Sequence, residues 1–256
     1  MRSRVTIDGL PLSYLSGGKG STTLLLHTIG GSASEWTRIT PILNEQLTTI
    51  ALDLPGHGES GLLDEHLPVP DIAALITKFL DLVGLDRVNV VGSSMSGTNA
   101  LEFAILYPDR VDQVVLISGT GPWADQPGLP VRKNLPTHTS ENKEITWFRS
   151  QFHDPAVADE PGFFEWWVMT RSKADDQMIR AWRKRPLLKR SLSECRAPVL
   201  LIRGEHDPLH PAAWSQAWVD LLPQGEVATI GSARHFLNLE APRELATLMI
   251  RFLVHR

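Results

Sequence analysis

The apolar residues of this chain are grouped into short continuous runs, and the runs are separated by segments long enough to form helices. Such runs are typical of strands that are buried on both faces of a mainly parallel sheet. The pattern therefore predicts strands at residues 24–26, 50–52, 88–91, 114–117, 199–202 and 227–230.

An antiparallel hairpin is predicted ahead of these strands. The runs Val5-Thr6-Ile7 and Leu12-Ser13-Tyr14 lie on either side of Asp8-Gly9. Because glycine tolerates the positive φ of a tight turn, this arrangement favours a hairpin entry into the sheet.

Helical periodicity fills several segments between the buried runs. Asp71 is placed to cap one helix, and Gly84 suits the left-handed residue that follows it. The apolar stripe between them consists of Ile72, Leu75, Ile76, Phe79, Leu80 and Val83. Further helices are predicted at about residues 96–107, before a proline, and from Pro242 to the C-terminus. This alternation of strand and helix predicts an α/β fold with a doubly wound core.

The alternation breaks between about residues 121 and 190. That stretch begins with a loop rich in proline and glycine and then becomes helical and aromatic. It holds nine of the tryptophan and phenylalanine residues, namely Trp123, Trp147, Phe148, Phe152, Phe163, Phe164, Trp166, Trp167 and Trp182. We predict that residues 121–190 form a helical cap, or lid, inserted into a core of residues 1–120 and 191–256.

Composition and charge favour a small-molecule partner. The formal net charge is -4 and 21% of the residues are charged, so no basic field recommends a nucleic acid partner. No apolar stretch approaches the ~20 residues that span a bilayer, so we expect no membrane partner. The single cysteine, Cys195, cannot form an internal disulfide, and the N-terminus lacks the apolar region of a signal peptide. We therefore expect a cytoplasmic protein.

Three serines follow the predicted strand at residues 88–91, in the segment Gly92-Ser93-Ser94-Met95-Ser96-Gly97. A serine on a sharp turn from strand to helix has an exposed hydroxyl, and the crowded turn requires small residues two positions before and after it. Ser94 has glycine and serine at these positions. Ser93 has valine and methionine there, and Ser96 has serine and threonine. The spacing therefore selects Ser94 as the candidate nucleophile.

This segment resembles the nucleophile elbow of the α/β-hydrolase superfamily, and the resemblance extends over nearly the whole chain outside the predicted cap. The other matching segments are His27-Thr28-Ile29-Gly30-Gly31-Ser32, Leu52-Asp53-Leu54-Pro55-Gly56-His57-Gly58-Glu59-Ser60 and Tyr107-Pro108-Asp109-Arg110-Val111. The resemblance implies an α/β-hydrolase fold, with a mostly parallel eight-stranded sheet flanked by helices and an inserted helical cap. It also implies a serine hydrolase, similar to esterases or to meta-cleavage-product hydrolases.

The resemblance further implies a catalytic triad. It places the carboxylate at Asp207, in the loop after a late strand, and the base at His235, after the final strand. The chain order of serine, acid and histidine is the one expected of this fold. Glu205 is a nearby competitor for the acid, whereas the other location that the family uses, near Ser118, contains no carboxylate.

The resemblance assigns the oxyanion hole to the backbone N–H groups of Ile29 and Met95. Each donor of this kind is typically worth ~3 kcal/mol of the barrier. Two residues depart from the family pattern, since Thr28 and Ser96 both stand where the family usually has glycine. Ser96 is small enough for the turn, but Thr28 leaves the backbone course of the oxyanion loop open.

No metal and no cofactor are expected. His206 and His210 near Asp207 raise the alternative of a metal site, but the chain has no tight ligand pattern such as H-E-x-x-H. The glycine patterns that bind nucleotides are also absent. His27 and His57 are expected to support the loop and the turn in which they lie.

The aromatic residues of the predicted cap form either its own small core or the wall of an apolar acyl pocket. As candidate substrate-binding residues we select Trp166, Trp167, Trp147, Trp123 and Phe236. The end of the cap is basic, at Arg183-Lys184-Arg185 and Lys189-Arg190. A solvated helix end is favoured there over contact with an anionic substrate or a carrier protein.

Three functions remain open. The leading hypothesis is hydrolysis of a carboxylic ester, thioester or lactone with a small-to-medium apolar acyl group, through an acyl-Ser94 intermediate. The second is cleavage of a carbon–carbon bond by the same triad, as in meta-cleavage-product hydrolases. The third is a small-ligand sensor that retains the fold, against which the intact Ser-Asp-His set argues. The acyl group and the oligomeric state do not follow from the fold.

Overall fold

The predicted strands pair into one mostly parallel sheet. A computed structural model of the chain describes residues 1–62, 71–119, 141–172 and 191–255. The strands are β1 (Arg2–Ile7), β2 (Leu10–Gly18), β3 (Ser21–Leu26), β4 (Leu47–Leu52), β5 (Val88–Ser93), β6 (Val111–Ile117), β7 (Val199–Gly204) and β8 (Gly225–Ile230). Their order across the eight-stranded sheet is β1-β2-β4-β3-β5-β6-β7-β8. β2 is antiparallel to β1 and β4, and all other neighbouring strands are parallel.

The predicted hairpin is confirmed at the antiparallel edge of the sheet. Ile7 of β1 pairs with Leu10 of β2, and the turn between them has φ 50° at Asp8 and 83° at Gly9. Both φ values are positive, which glycine adopts without a steric penalty. The strand register therefore follows from the Asp8-Gly9 turn.

Helices cover both faces of the sheet. The α-helices are α1 (Thr40–Leu43), α2 (Ile72–Leu82), α3 (Ser96–Leu106), α4 (Glu141–Ser150), α5 (Pro155–Ala158), α6 (Phe163–Ser172), α7 (Ala212–Val219), α8 (Leu237–Glu240) and α9 (Pro242–His255). Short 3-10 helices lie at Ala33–Trp36, Pro108–Arg110 and Leu192–Glu194. The predicted caps of α2 are confirmed, because the Ala74 N–H donates to the Asp71 carboxylate at 3.1 Å and Gly84 has φ 72°.

Two apolar cores lie on opposite faces of the sheet because successive side chains of a strand point in opposite directions. Leu26 of β3 packs in one core with Phe79 of α2 and Phe103 of α3. Leu25, its neighbour, packs in the other core with Met249 of α9. Burial on both faces explains why the strands appear in the sequence as continuous apolar runs.

A third apolar cluster lies in the stretch that the sequence predicts as a cap. Of residues 121–190 the structure describes 141–172, which form α4, α5 and α6. Phe148 of α4, Trp167 of α6 and Phe152 from the turn after α4 pack against Phe236 and Leu239. Trp123, Trp182 and the basic residues at 183–190 lie outside the described residues. The assignment of the whole stretch as a cap stays a prediction.

The helices of the described ranges are all too short or too polar to cross a bilayer.

Candidate active site

Ser94, Asp207 and His235 lie at one edge of the sheet. They follow β5, β7 and β8 respectively. Because these strands are parallel, their carboxyl ends meet at the same edge, where α/β proteins usually bind their ligands. The topology therefore brings together residues that are far apart in sequence, since Ser94 and His235 are separated by 141 positions.

The three side chains form a chain of hydrogen bonds. His235 Nδ1–H donates to Asp207 Oδ2 at 2.9 Å, and the Ser94 hydroxyl donates to His235 Nε2 at 3.2 Å. These directions follow from the carboxylate, which can only accept when it is ionised. Asp207 and His235 are buried and Ser94 is half-buried. The imidazole thus presents its accepting nitrogen to a serine hydroxyl, as removal of the serine proton requires.

Ser94 occupies a strained turn between β5 and α3. Its φ is 51°, in the left-handed region that residues with a side chain seldom adopt. A Cβ on Gly92 would lie 2.1 Å from the carbonyl oxygen of Ser96, so only glycine fits before the turn. Ser93 and Ser96 are buried, and Ser94 is the one of the three serines whose hydroxyl reaches His235.

Asp207 is held as a buried carboxylate. Its Oδ1 accepts the Leu209 N–H at 2.7 Å, and its Oδ2 lies 3.3 Å from His210 Nδ1 in addition to His235. Burial opposes ionisation, but the charge of His235 and the hydrogen bonds from the two histidines outweigh it and hold the pKa of Asp207 well below its usual range. Glu205, the competing acid in the sequence, is exposed.

The side chains of Asp207, His210 and His235 are also of types that bind metal ions. Their ligand atoms all lie within 4.8 Å of one another, and among the described residues this is the one group with that property. The contacts of 2.9 Å and 3.3 Å to Asp207 Oδ2 account for this cluster as two histidines around one carboxylate. His206, the other histidine considered for a metal site, is exposed and stacks on His153.

The predicted oxyanion residues come from two neighbouring strand ends. Leu26 of β3 pairs with Gly92 of β5, so the loop after β3 lies beside the start of α3. The Ser96 hydroxyl donates to the carbonyl oxygen of His27 at 2.5 Å, which joins the two segments. Met95 stands at the beginning of α3, where backbone N–H groups have no partner within the helix. Ser96 therefore has a bonding role at the position where the family usually has glycine.

Thr28 is bonded to a buried carboxylate that the sequence analysis missed. Its N–H donates to Glu35 Oε2 at 3.1 Å and its hydroxyl to Glu35 Oε1 at 2.7 Å. Thr28 and Glu35 are each 3% exposed. Threonine thus supplies a second donor that glycine lacks, and this pair defines the course of the loop. Glu35 lies in a short 3-10 helix, where no periodic pattern marks it.

His27 and His57 support the same loop, as expected. The Leu54 N–H donates to His27 Nε2 at 3.0 Å, while His27 Nδ1–H donates to the Thr28 carbonyl at 2.7 Å. The Gly30 N–H donates to His57 Nε2 at 3.2 Å. Both rings therefore connect residues 27–30 with the turn after β4.

The aromatic residues selected from the sequence differ in their distance from the triad. The ring of Phe236 lies 5.3 Å from that of His235, and Trp147 meets Phe236 edge-on at 6.1 Å. Trp167 is buried behind Trp147, at 6.0 Å. Trp166 stacks on Phe163 at 5.6 Å. Trp147 and Phe236 are thus linked to His235 by successive ring contacts, whereas Trp123 lies outside the described residues.

Comparison with known sequences identifies a family and several relatives. A sequence model described as "Alpha/beta hydrolase family" matches residues 23–248. The dihydrolipoyllysine-residue acetyltransferase component of the acetoin cleaving system of Pseudomonas putida is 27% identical over 93% of this chain, which spans 65% of that protein. A 2-hydroxy-6-oxononadienedioate/2-hydroxy-6-oxononatrienedioate hydrolase of Paraburkholderia phymatum is 26% identical over 95% of this chain and 91% of its own length.

Solved structures share the fold. A membrane phospholipase A, described as a bacterial virulence factor, superposes with a TM-score of 0.82 at 25% identity, covering 99% of this chain and 85% of that one. An esterase from Rhodococcus sp. ECU1013 gives a TM-score of 0.81 at 20% identity, covering 98% and 97% of the two chains. At 20% identity, the likeness to the Rhodococcus esterase shows the fold alone.

The bond from Thr28 to Glu35 leads to a prediction about stability. Thr28→Val keeps the shape of the side chain but removes the hydroxyl that donates to Glu35 Oε1. We expect the free energy of unfolding to fall by about 2 kcal/mol, as is typical for loss of a hydrogen bond to a charged group. Thr28→Ser, which keeps the hydroxyl, is the control and should lose less. Urea unfolding measures both, and equal losses in the two variants would contradict the assigned role of the hydroxyl.

Proposed function

Because the chain belongs to the α/β-hydrolase family, as the match over residues 23–248 shows, we propose that it is a serine hydrolase in which Ser94, His235 and Asp207 form the catalytic triad. The observation that carries this proposal is the hydrogen-bond chain from Asp207 through His235 to Ser94. The substrate is a carboxylic ester, thioester or lactone with a small-to-medium apolar acyl group.

The proposed reaction proceeds through an acyl-enzyme. His235 Nε2 takes the Ser94 proton as Ser94 Oγ attacks the carbonyl carbon, and it then donates that proton to the departing alcohol, thiol or hydroxyl group. His235 next removes a proton from water, whose oxygen attacks the carbonyl carbon of acyl-Ser94. The bond from that carbon to Ser94 Oγ then breaks, His235 returns the proton to Oγ, and the carboxylic acid is released. Asp207 stabilises the imidazolium in both steps and keeps Nδ1 protonated.

The backbone N–H groups of Ile29 and Met95 are proposed to stabilise the oxyanion that forms on the carbonyl oxygen. Support comes from the adjacency of β3 and β5 and from the Ser96 bond to His27, which hold the two segments together. The position of Met95 at the start of α3 adds the positive end of the helix dipole. Oriented donors of this type stabilise developing charge without reorganisation.

Trp147 and Phe236 are proposed to contact the acyl group. Phe236 lies against the ring of His235, and Trp147 is half-buried, so part of its ring surface is available to a ligand. Trp167 is buried behind Trp147 and acts as its support. This arrangement divides the aromatic residues between a small core and one wall of an apolar pocket, which favours an apolar acyl group. Trp166 and Trp123 remain candidates for the same pocket.

Carbon–carbon bond hydrolysis is the second candidate, and the Paraburkholderia relative supports it. The substrate in the name of that relative is a dicarboxylate, and carboxylates are usually bound by cationic side chains. Arg203 donates to the carbonyls of His210 and Glu205, and Arg234 donates to that of Ser150. Among the residues that the structure describes, both of these arginines next to triad loops donate to backbone carbonyls, and on this ground we favour the ester over the dicarboxylate.

Covalent labelling tests the nucleophile. A fluorophosphonate probe is expected to react with the folded protein at Ser94, because the hydroxyl of Ser94 contacts the accepting nitrogen of His235. Peptide mapping locates the adduct. Heat-denatured protein and Ser94→Ala should remain unlabelled, and Ser94→Ala should lose turnover while it keeps its affinity for ligand. An adduct on another residue, or no adduct on a protein that hydrolyses esters, would refute the assignment of Ser94.

Substrate comparison separates the two bond types. We expect kcat/KM for p-nitrophenyl esters graded by acyl length to exceed that for a ring-fission dienoate by at least about tenfold, because an apolar pocket leaves carboxylates unpaired. Ser94→Ala serves as the background in both assays. A higher kcat/KM for the dienoate would contradict the ester proposal and favour carbon–carbon bond hydrolysis.

A further inference from the structure

Residues 150–154, at the end of α4 and in the turn that follows it, lie against the loop that carries His235. The His235 N–H donates to the carbonyl of Gln151 at 3.2 Å, and the Arg234 guanidinium donates to the carbonyl of Ser150 at 2.7 Å. We call this contact between residues 150–154 and residues 234–240 the junction. It holds the backbone of the proposed base from outside the sheet.

Glu240 connects the two sides of the junction through its carboxylate. Oε2 accepts the N–H of Arg234 at 2.8 Å. Oε1 accepts the N–H of Asp154 at 3.0 Å and also that of His153. One side chain therefore accepts three backbone N–H groups, one from Arg234 and two from residues 153–154, and Glu240 is itself 86 positions from Asp154. These N–H groups lie outside the regular helix and strand ladders, and the carboxylate of Glu240 accepts from all three.

We propose that Glu240 is a positioning residue for His235, an inference that rests on the proposed function. The residue before His235 is bound to Oε2, and His235 itself is bound to Gln151, three positions before Asp154. His235 reaches Ser94 only at 3.2 Å, so a small displacement of its backbone breaks that contact. The carboxylate of Glu240 fixes the backbone on both sides of the junction and so fixes this distance.

The junction also connects the base with the helices that carry Trp147. α4 ends at Ser150, and its aromatic residues pack on Phe236, the residue after His235. The position of α4 relative to the sheet and the position of His235 therefore depend on the same contacts. Through its bonds to both segments, Glu240 makes the position of His235 depend on how α4 packs against the sheet.

Glu240→Gln is the most selective substitution because it keeps the size of the side chain and one acceptor oxygen. Its amide group replaces the other oxygen with N–H donors, which cannot accept from a backbone N–H. One side of the junction consequently loses its bond whichever way the amide is oriented. Glu244→Gln is the matched control, since Glu244 is exposed in the first turn of α9 and four positions away.

Kinetics with a p-nitrophenyl ester that the wild-type protein hydrolyses provide the test. For Glu240→Gln we expect kcat to fall by about tenfold or more and the rate constant of fluorophosphonate labelling to fall with it, since misplacement by about 1 Å can cost 100-fold. KM should stay within about threefold of wild type, because no substrate contact is removed. Glu244→Gln should behave as wild type.

A purely structural role predicts a different result. If Glu240→Gln lowers the melting temperature but leaves kcat and the labelling rate constant unchanged, the inference is wrong, and it is equally wrong if nothing changes. Should this variant fail to fold, Glu240→Asp tests the same carboxylate, because its shorter side chain cannot span from the Arg234 N–H to the N–H groups of residues 153–154. A several-fold loss of kcat at constant KM is expected from it, and an unchanged kcat would contradict the inference. Failure of the proposed function is distinguishable, because the wild-type protein would then lack Ser94-dependent activity.

Discussion

The close approach of backbone segments at two strand ends is the constraint on which the site depends. A Cβ on Gly92 would lie 2.1 Å from the Ser96 carbonyl oxygen, and a Cβ on Gly204 would lie 2.1 Å from the Arg234 carbonyl oxygen. The first approach permits the turn that presents Ser94. The second lets the loop of His235 pass over the end of β7 and reach Asp207. Because the parts that meet are backbone, neither contact relaxes by a simple change of rotamer.

Carboxylates hold the loops that these approaches leave without regular hydrogen bonds. Glu35 accepts from Thr28, Asp207 from Leu209, and Glu240 from Arg234. Asp53 does the same for Ala33 at 2.7 Å. A buried or half-buried carboxylate is costly to desolvate unless it is paired, but its two oxygens offer several acceptor positions and so can bind more than one N–H group. The geometry proposed for catalysis thus rests on acidic side chains that accept from loop backbone as well as on the sheet.

The strands, the helices and Ser94 could be predicted because each has a local signal, whereas Asp207 and His235 came from the resemblance to a known family. Apolar runs mark the strands, Asp71 and Gly84 mark the ends of α2, and small residues around Ser94 mark the turn. Glu35 and Glu240 have no such signal, since their roles come from contacts that form only after folding. The family pattern was also uninformative at Thr28, where it expects glycine, and the bonds to Glu35 supply the missing physical reason.

We propose that Ser94 becomes acylated during turnover, with His235 as its base and Asp207 as the partner of His235. Rapid acid quenching during hydrolysis of a p-nitrophenyl ester, followed by intact-protein and peptide mass spectrometry, tests this step. We expect a mass increase of one acyl group, located on Ser94 and missing from Ser94→Ala. Turnover by the wild-type protein with the acyl group on another residue would contradict it, as would hydrolysis that continues at the wild-type rate in Ser94→Ala.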